Sequence, residues 1–176
     1  VILFLLSFSV TAQVKKQEVE YPWKHLLLVG KTFGINANGT KLNYYKNTNY
    51  LWNDWLIPWG FGIHSFTINQ SHFEKSGFKD ANLNTFSLGR SGFKSLERNL
   101  YLNLVIQATL GSEKLRDFSN EINDRFVFGI SPSQGVVYIP KSKFGVVLGL
   151  SVYEKILSSK VYSFDAGVQF SLGITF

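Results

Sequence analysis

Apolar and polar residues alternate along the last stretch of the chain, VYSFDAGVQFSLGITF, which occupies residues 161–176. One set of alternate positions is apolar throughout, whereas the other is small or polar throughout. The apolar set consists of Tyr162, Phe164, Ala166, Val168, Phe170, Leu172, Ile174 and Phe176. Because successive side chains of a strand point to opposite faces, this pattern predicts one two-faced strand. It is roughly three times as long as an ordinary strand.

Seven segments further upstream also have the composition of strands, so that the chain contains eight. The fifth and seventh alternate nearly as cleanly as the eighth, and the second to fourth are weaker. The predicted strands are residues 23–36, 50–57, 61–69, 83–92, 99–110, 125–139, 144–153 and 161–176.

The connections between these segments give a second signal, because long and short ones alternate. The long ones, rich in Asn, Ser and Lys, are residues 37–49, 70–82, 111–124 and 154–160. The short ones are residues 58–60, 93–98 and 140–143. Long extracellular loops alternating with short periplasmic turns are typical of up-and-down transmembrane barrels. An even strand count then predicts that both termini are periplasmic.

These patterns predict an all-β fold, namely a closed antiparallel up-and-down transmembrane β-barrel of eight strands. The alternative is a secreted lipocalin-like barrel, which would place its apolar face inside. The polar face of this chain is built from small residues, and the eighth segment carries a single charge, Asp165. Such a face suits a narrow lumen better than a soluble exterior. We therefore predict an apolar exterior and a polar interior.

The composition is compatible with this fold. Mean hydropathy is +0.03 with 45% apolar residues, as expected where apolar and polar positions alternate. The absence of cysteine excludes disulfides, thiolate metal sites and a cysteine nucleophile. The formal net charge of +6 indicates a basic surface, which suits either nucleic acid or lipid phosphates. The N-terminal segment favours lipid, and we predict no nucleic-acid partner and no cofactor.

The first ten residues, VILFLLSFSV, form an apolar run of signal-peptide length that is too short to span a bilayer as a helix. Val10 and Ala12 occupy the small-residue positions of a cleavage site. We expect residues 1–12 to be a signal peptide clipped at its start, residues 13–22 a periplasmic lead-in, and residues 23–176 the barrel. A buried strand is the alternative for the first segment. Export favours the outer membrane of a Gram-negative bacterium.

The terminal strand ending GVQFSLGITF, the run SPSQGVVYIPKSKFGVVLGL and Gln13 after the cleavage site together resemble a known family. It is the family of small outer-membrane barrels that includes OmpX and the OmpA membrane domain, in the style of its Bacteroidetes members. The resemblance implies a structural or interaction role, or a place as accessory subunit in a larger export or assembly complex. It also implies insertion by the barrel-assembly machinery. The assembly signal would lie on Phe170, Leu172, Ile174 and Phe176.

His64 and Ser65 form the one adjacent pair that suggests nucleophilic catalysis. A serine nucleophile needs a base within hydrogen-bond reach, but adjacent strand residues face opposite sides. We predict no enzymatic activity, with a lipid A-modifying enzyme using His64 as the alternative. His25, His64 and His72 lie on separate segments without paired spacing, which argues against a metal site.

Polar residues on the inward faces are predicted to fill the lumen of a barrel this narrow, without an open channel. The predicted lumen network consists of Asn103, Gln107, Asp165 and Gln169. A small conducting or proton-relay path is the alternative.

Lys31 breaks the alternation, because it is in phase with Val29 and Phe33 on the presumed lipid face. A lysine at mid-bilayer costs roughly 2–4 kcal/mol. Either a bulge beside Gly30 turns Lys31 inward, toward Asp165, or this face contacts another outer-membrane protein; we favour the bulge. Gln134 raises the same question on the sixth segment.

Lysines in the long connections predict contacts with lipopolysaccharide phosphates, with solvated loop tips as the alternative. The candidates are Lys41, Lys46, Lys155 and Lys160. Aromatic residues at strand ends predict girdles at both membrane interfaces, with Tyr50 and Trp52 at the outer one and Trp59 at the periplasmic one.

Overall fold

The computed structural model describes residues 23–68 and 77–176. The predicted signal peptide and lead-in lie outside these residues. Ten strands occur in the described part of the chain. They are β1 (His25–Gly34), β2 (Ala37–Lys46), β3 (Leu51–Trp52), β4 (Trp55–Leu56), β5 (Trp59–Ile68), β6 (Phe78–Glu97), β7 (Leu100–Asp117), β8 (Ile122–Tyr138), β9 (Gly145–Leu157) and β10 (Phe164–Thr175). In the same two ranges, no helix has the length and apolarity needed to cross a membrane.

Eight of these strands close into an antiparallel barrel, as the sequence predicts. Around the barrel they follow the order β1, β2, β5, β6, β7, β8, β9 and β10, and each is hydrogen-bonded to its neighbours. Closure is made by β1 and β10, whose pairing runs from Leu26 with Thr175 to Gly34 with Gly167. We call the end that holds His25 and Phe176 the terminus end, and the opposite end the loop end.

The strands are staggered around the barrel. A row of paired residues that starts at Leu104 on β7 returns to the same strand at Lys114, ten residues further on. Between them the row passes through Gln134, Val152, Val168, Phe33, Asn38, Thr67 and Asn82. Such a stagger requires the strands to tilt against the barrel axis. Residues on one row therefore lie at different depths.

The structure corrects the predicted second strand. Residues 37–49, predicted as a long loop, contain β2, and β1 turns into it directly through Ile35 and Asn36. Residues 50–57, predicted as that strand, instead form the short hairpin of β3 and β4. Its turn residues Asn53 and Asp54 have φ of 47° and 65°, the left-handed values that a tight two-residue hairpin turn requires. Asn and Asp tolerate this conformation better than most residues.

The other predicted loops are shorter than expected because the strands are longer. β7 and β8 take up most of residues 111–124, and β9 takes up half of residues 154–160. β6 begins at Phe78, inside the loop predicted at residues 70–82, of which residues 70–76 lie outside the described part. The strict alternation of long and short connections is therefore wrong, although the fold that it predicted is confirmed.

Strands β4 and β5 are one strand interrupted at Pro58. Trp55 pairs with Lys94 before the interruption and Trp59 pairs with Arg90 after it, so the register against β6 is unchanged. Proline has no N–H to donate to the sheet, which breaks the hydrogen-bonding pattern at this point. Its carbonyl still accepts a hydrogen bond from the Ser91 N–H at 3.3 Å. The predicted turn at residues 58–60 is therefore a break within a strand.

The interior has apolar clusters at both ends and polar residues between them. The cluster at the loop end consists of Ala37, Phe66, Ala81, Leu83, Leu115, Val127, Leu157, Val161 and Tyr162. The cluster at the terminus end consists of Trp23, Leu26, Leu28, Tyr45, Leu56, Phe93, Tyr101, Val137, Ile139 and Val147. The predicted polar interior is thus correct only for the middle layer. Packed apolar side chains plug the lumen above and below it.

The outer wall is apolar. Large side chains remain solvent-accessible there, and Ile106, the most exposed of them on β7, is 70% exposed. Others on this wall are Val29, Phe33, Ile63, Phe86, Leu88, Leu110, Ile130, Leu148, Leu150, Phe170, Leu172 and Ile174. A continuous apolar surface of this extent is unfavourable in water and typical of a wall that faces lipid.

Candidate functional site

Two lysines extend across the lumen. Lys155 on β9 places its Nζ 2.6 Å from Nδ1 of His64, on the opposite wall, and 3.4 Å from the centre of the Phe66 ring. Lys41 on β2 places its Nζ 3.4 Å from Oε1 of Gln107 on β7. Each contact therefore links strands that are not neighbours in the sheet. The two lysines act as struts between facing walls.

Asp165 lies beside one of these struts. It occupies the position on β10 that is paired with Lys155. Its carboxylate accepts hydrogen bonds from the Asn36 backbone N–H at 2.9 Å and from the Tyr153 hydroxyl at 2.8 Å. A fully buried carboxylate needs such partners, because its desolvation is costly without them. Asp165 thus connects the β1–β2 turn, β9 and β10 beside the β1–β10 closure.

A second buried carboxylate, Glu113 on β7, accepts a hydrogen bond from the Ser159 hydroxyl. Together with Asp165 it formally offsets the charges of Lys41 and Lys155. The buried interior therefore holds two acidic and two basic side chains, so that their formal charges cancel.

All four predicted lumen residues are buried inside the barrel, but they do not form one network. Asn103 donates to the Gly92 carbonyl at 3.2 Å, and Gln169 donates to the Ser171 hydroxyl at 2.7 Å. Gln107 and Asp165 make the separate contacts given above. Within the described ranges, several buried polar atoms of the layer have no hydrogen-bond partner. These are Asn43 Oδ1, His64 Nε2, Thr85 Oγ1, Gln107 Nε2 and Glu113 Oε2.

The lumen retains a small cavity. Its volume is about 20 Å³, and its lining includes Lys41, Asn43, Asn103 and Gln169. A single water molecule requires about 10–15 Å³. The cavity thus fits one water molecule rather than a water-filled channel.

His64 and Ser65 face opposite sides of the wall. His64 is buried in the lumen at 2% exposure, where its ring packs against Phe66 at 4.7 Å between centroids. Ser65 is exposed on the outer face. The two side chains therefore do not form a nucleophile and base, and His64 does not reach a lipid on the outer wall.

The structure places the four candidate lipopolysaccharide contacts in different environments. Lys41 and Lys155 are inside the barrel, so the prediction that they meet lipopolysaccharide is wrong; β2 and β9 carry both on their inward faces. Lys46 is exposed, but at the terminus end rather than on an outer loop. Lys160 is exposed in the β9–β10 connection, and its contact with lipopolysaccharide stays a prediction.

Lys31 is exposed on the outer wall, so the bulge predicted beside Gly30 is wrong. β1 keeps a regular register here, with Lys31 paired to Phe170 on one side and to Thr40 on the other. Gln134 is likewise exposed on the outer face of β8. A partner protein at this face stays a prediction.

The predicted assembly-signal residues Phe170, Leu172, Ile174 and Phe176 are exposed on the outer wall, and their role in assembly stays a prediction. The Phe176 ring stacks on His25 at 5.2 Å between centroids. The last residue is also held by its backbone, because its N–H donates to the His25 carbonyl at 3.0 Å.

Strands β6, β7 and β8 extend beyond the barrel at the loop end. They have 20, 18 and 17 residues, whereas the other barrel strands have 10 to 13. Within the described residues, β5 pairs with β6 as far as Thr67 with Asn82, and β8 pairs with β9 as far as Gly129 with Leu157. Beyond these pairs lies a three-stranded sheet, which we call the projecting sheet, formed by residues 78–81, 111–117 and 122–128. Its inward side chains, Ala81, Glu113, Leu115 and Val127, are buried at the loop end of the interior, whereas its outward face and its tip are exposed.

The projecting sheet has an apolar rim and a balanced charge. Phe118, Ile122 and Phe126 are 70%, 60% and 69% exposed. Lys114 pairs in register with Asp124, and Arg116 with Asp80, so opposite charges lie side by side. In the described part of the chain no strand pairs with the outer edge of residues 122–127, which leaves backbone groups available to a partner.

Asp117 orders the tip of this sheet. Its carboxylate accepts hydrogen bonds from the Ser119 hydroxyl at 2.7 Å and from the N–H groups of Ser119 and Glu121, each at 2.9 Å. The Ser119 hydroxyl, followed by the two amides, lowers the pKa of Asp117 below its ordinary value.

We therefore expect the order of the tip to depend on pH. The pKa of Asp117 is lower in the folded than in the unfolded protein, where it is about 4. The stabilisation of the tip by the Asp117 carboxylate is therefore fully present above about pH 4, and it is lost as the pH falls through the folded pKa. Amide exchange at Ser119 and Glu121, followed by NMR in micelles, should accelerate as pH falls through that range, after correction for intrinsic exchange. Asp117→Ala, which removes the acceptor, should exchange fast at every pH. Equal protection in both proteins would contradict this role.

The closed barrel, plugged lumen and apolar wall define the fold of the small outer-membrane β-barrels. Solved members of this class share the architecture at low sequence identity. Neisserial surface protein A is 12% identical with a TM-score of 0.53, and the match covers 88% of this chain and 96% of that one. Ail of Yersinia pestis, in complex with the heparin analogue sucrose octasulfate, is 15% identical with a TM-score of 0.52, covering 86% and 96%.

A third similar structure is the N-terminal barrel domain of Pseudomonas aeruginosa OprF, which is 10% identical with a TM-score of 0.51 over 88% of this chain and 98% of that one. No protein-family model matches the chain, and no curated protein matches it in sequence. The similarity therefore concerns the fold alone.

Proposed function

We propose that the chain is a non-enzymatic outer-membrane protein that presents its projecting sheet to a partner outside the membrane. The extension of β6, β7 and β8 beyond the barrel carries this proposal. The apolar wall supports a place in the bilayer, and the cavity of about 20 Å³ disfavours a role as a pore. The barrel then serves as a rigid anchor for the sheet.

A protein is a better candidate partner than a polyanion. Ail, one of the structural neighbours of this chain, was solved with a sulfated sugar. In the projecting sheet of this chain, however, Lys114 and Arg116 each have an acidic residue in register. The exposed rings of Phe118 and Phe126 and the free strand edge favour pairing with an extended segment of another protein.

The orientation in the membrane is testable because the chain contains no cysteine. We place both termini in the periplasm and the projecting sheet outside the cell. Ser119→Cys, at the tip, should then react with a membrane-impermeant maleimide on intact cells. Ser142→Cys, in the β8–β9 turn at the terminus end, should react only after the outer membrane is permeabilised. The reverse labelling pattern would overturn this orientation. If neither labelled variant were recovered in the membrane fraction, the membrane location would be wrong.

The role of the sheet is testable by excision. Leu115 and Asn123 are paired neighbours, so residues 116–122 are replaceable by Asn-Gly, which favours a tight hairpin and keeps the buried Glu113 and Leu115. We expect the shortened protein to keep the heat-dependent gel mobility of a folded barrel. A photoreactive residue at Phe126 of the intact protein should cross-link to another protein on whole cells, whereas one at Leu172 should not. Absence of a cross-link at the sheet would contradict the interaction role.

A second candidate function is that of an accessory subunit in a larger outer-membrane complex. Lys31 favours it, because this lysine remains on the apolar wall with no counter-charge in ion-pairing distance among the described residues. Gln134 lies on the same wall. The barrel-assembly machinery and lipopolysaccharide are the further partners that we expect of a protein at this location.

A further inference from the structure

The outer wall at the terminus end carries aromatic rings interleaved with cations, which we call the cation–aromatic patch. It consists of Lys46, Tyr50, Trp55, Trp59, Arg90 and Lys94. The sequence predicted Tyr50 at the outer interface, but the hairpin of β3 and β4 places it at the terminus end together with Trp59. The patch is separate from the lumen and from the projecting sheet.

Three members of the patch form one row across adjacent strands. Lys46 on β2 pairs with Trp59 on β5, and Trp59 pairs with Arg90 on β6. The Arg90 guanidinium carbon lies 4.4 Å from the centre of the Trp59 ring and 5.9 Å from that of Tyr50. Stacking uses the face of a guanidinium and leaves its N–H edge available for a bidentate acceptor. The rings therefore pre-organise Arg90 without satisfying its donors.

Trp55 separates Arg90 from the second cation of β6. Lys94 places its Nζ 6.0 Å from the centre of the Trp55 ring. The ring lies directly on Gly92, where a Cβ would meet a ring carbon at 2.8 Å. Glycine at this position thus allows the indole to lie flat against the wall between the two cations.

The patch has no acidic partner in the described part of the chain. Among the residues that the structure describes, no carboxylate lies within ion-pairing distance of Arg90 or Lys94. Arg90 is nevertheless exposed on the outer wall, and the neighbouring outward side chain on β6 is the apolar Leu88. A charged group at the edge of the hydrocarbon is stabilised by a counter-charge, and the nearest available one is a lipid phosphate.

We propose that the cation–aromatic patch binds the headgroup of an anionic phospholipid in the leaflet nearest the termini. Arg90 holds the phosphate bidentately, Lys94 and Lys46 add point charges, and Trp55 and Trp59 contact the glycerol and the upper acyl chain. This assignment rests on the membrane location and orientation proposed above. It adds a specific lipid site to a wall that otherwise meets hydrocarbon.

The test measures lipid retention by native mass spectrometry. The folded barrel is incubated in micelles with phosphatidylglycerol, phosphatidylcholine or lipopolysaccharide, and bound lipid is counted as collision energy rises. We expect the unaltered protein to retain phosphatidylglycerol in preference to phosphatidylcholine. Arg90→Gln with Lys94→Gln should weaken phosphatidylglycerol binding at least about tenfold, since two charge-assisted contacts are removed.

The matched control is Lys141→Gln with Lys143→Gln. It removes the same charge at the same end, and Lys143 also lies 6.0 Å from an aromatic ring, that of Phe144. We expect its retention of phosphatidylglycerol to be unchanged. Trp59→Leu keeps the wall apolar but removes the stacking, and should give an intermediate loss. An equal loss in the control would show that general charge, rather than the patch, holds the lipid.

Other outcomes overturn the proposal in distinguishable ways. Equal retention of phosphatidylglycerol and phosphatidylcholine by the unaltered protein would exclude an anionic headgroup site. Preferential retention of lipopolysaccharide through Arg90 and Lys94 would assign the patch to the opposite leaflet. If the barrel failed to enter micelles or vesicles in folded form, the membrane location itself would be wrong, and the patch would have no lipid to bind.

Discussion

Replacing Asp165 with Ala should lower the free energy of unfolding by about 3–5 kcal/mol, the range observed when one member of a buried charged group is removed. The substitution removes the acceptor for the Asn36 N–H and the Tyr153 hydroxyl. It also leaves Lys155, on the paired position of β9, without the carboxylate beside it. Urea unfolding in phospholipid vesicles, followed by tryptophan fluorescence, measures the change.

Asp124→Ala is the control for this experiment. Asp124 is exposed on β8 and pairs in register with Lys114, and exposed pairs contribute about 0–1 kcal/mol. The double variant Asp165→Ala with Lys155→Met should recover part of the loss, because the buried ammonium is then absent as well. A destabilisation below about 1 kcal/mol in Asp165→Ala would show that the lumen does not depend on this charge.

Replacing Lys31 with Leu should have the opposite sign and stabilise the barrel in pure lipid by up to about 2–4 kcal/mol. Lys31 lies on the outer wall between Val29 and Phe33, and it is paired with Phe170 on β10. A lysine at this depth costs free energy unless its ammonium reaches water or a partner. The same vesicle unfolding experiment measures the gain, and the control Lys143→Leu, in the exposed β8–β9 turn at the terminus end, should change stability by less than about 1 kcal/mol.

The outcome for Lys31 bears directly on the choice between a free-standing barrel and a complex subunit. In native outer membranes extracted with mild detergent, a subunit should co-purify with larger proteins in fixed proportion, and Lys31→Leu should reduce that recovery. If Lys31→Leu stabilised the barrel in lipid without changing co-purification, Lys31 would not contact a partner protein, and the free-standing barrel would be favoured. A destabilising effect in pure lipid would show that Lys31 already contributes within the isolated barrel.

Strands with strongly contrasting faces were predictable from the sequence. β7, β9 and β10 have apolar outward residues because lipid requires them, and small or polar inward residues because the lumen is narrow. β2 lacks this contrast: Asn38 and Thr40 face outward near the loop end, while Lys41 and Asn43 face the lumen. A strand with polar residues on both faces has the composition of a loop. The sequence pattern therefore predicts the second strand at residues 50–57 instead of in β2.

The lumen contacts were beyond prediction for a different reason. The local pattern predicts that Gln107 and Asp165 point inward. The segments that contain Lys41 and Lys155 have the composition of loops, so the sequence does not predict that these lysines lie on strands. Which residues meet across the lumen depends on the stagger of ten residues around the barrel, which is a property of the closed structure. The cation–aromatic patch is not predictable from the sequence either. Pro58 indicates a turn, whereas in the structure β4 and β5 continue in one register against β6 on either side of it.

The seam between β1 and β10 has a consequence for the order in which the molecule is built. It joins the first and last strands of the barrel, and the Asn36–Asp165 hydrogen bond spans 129 residues of sequence. Contacts of such long range form late, because the intervening chain must be ordered first. Until β10 is synthesised, the growing sheet has two open edges that invite pairing with other chains. We therefore expect closure to come last in folding, with both sheet edges open to other chains until β10 pairs with β1.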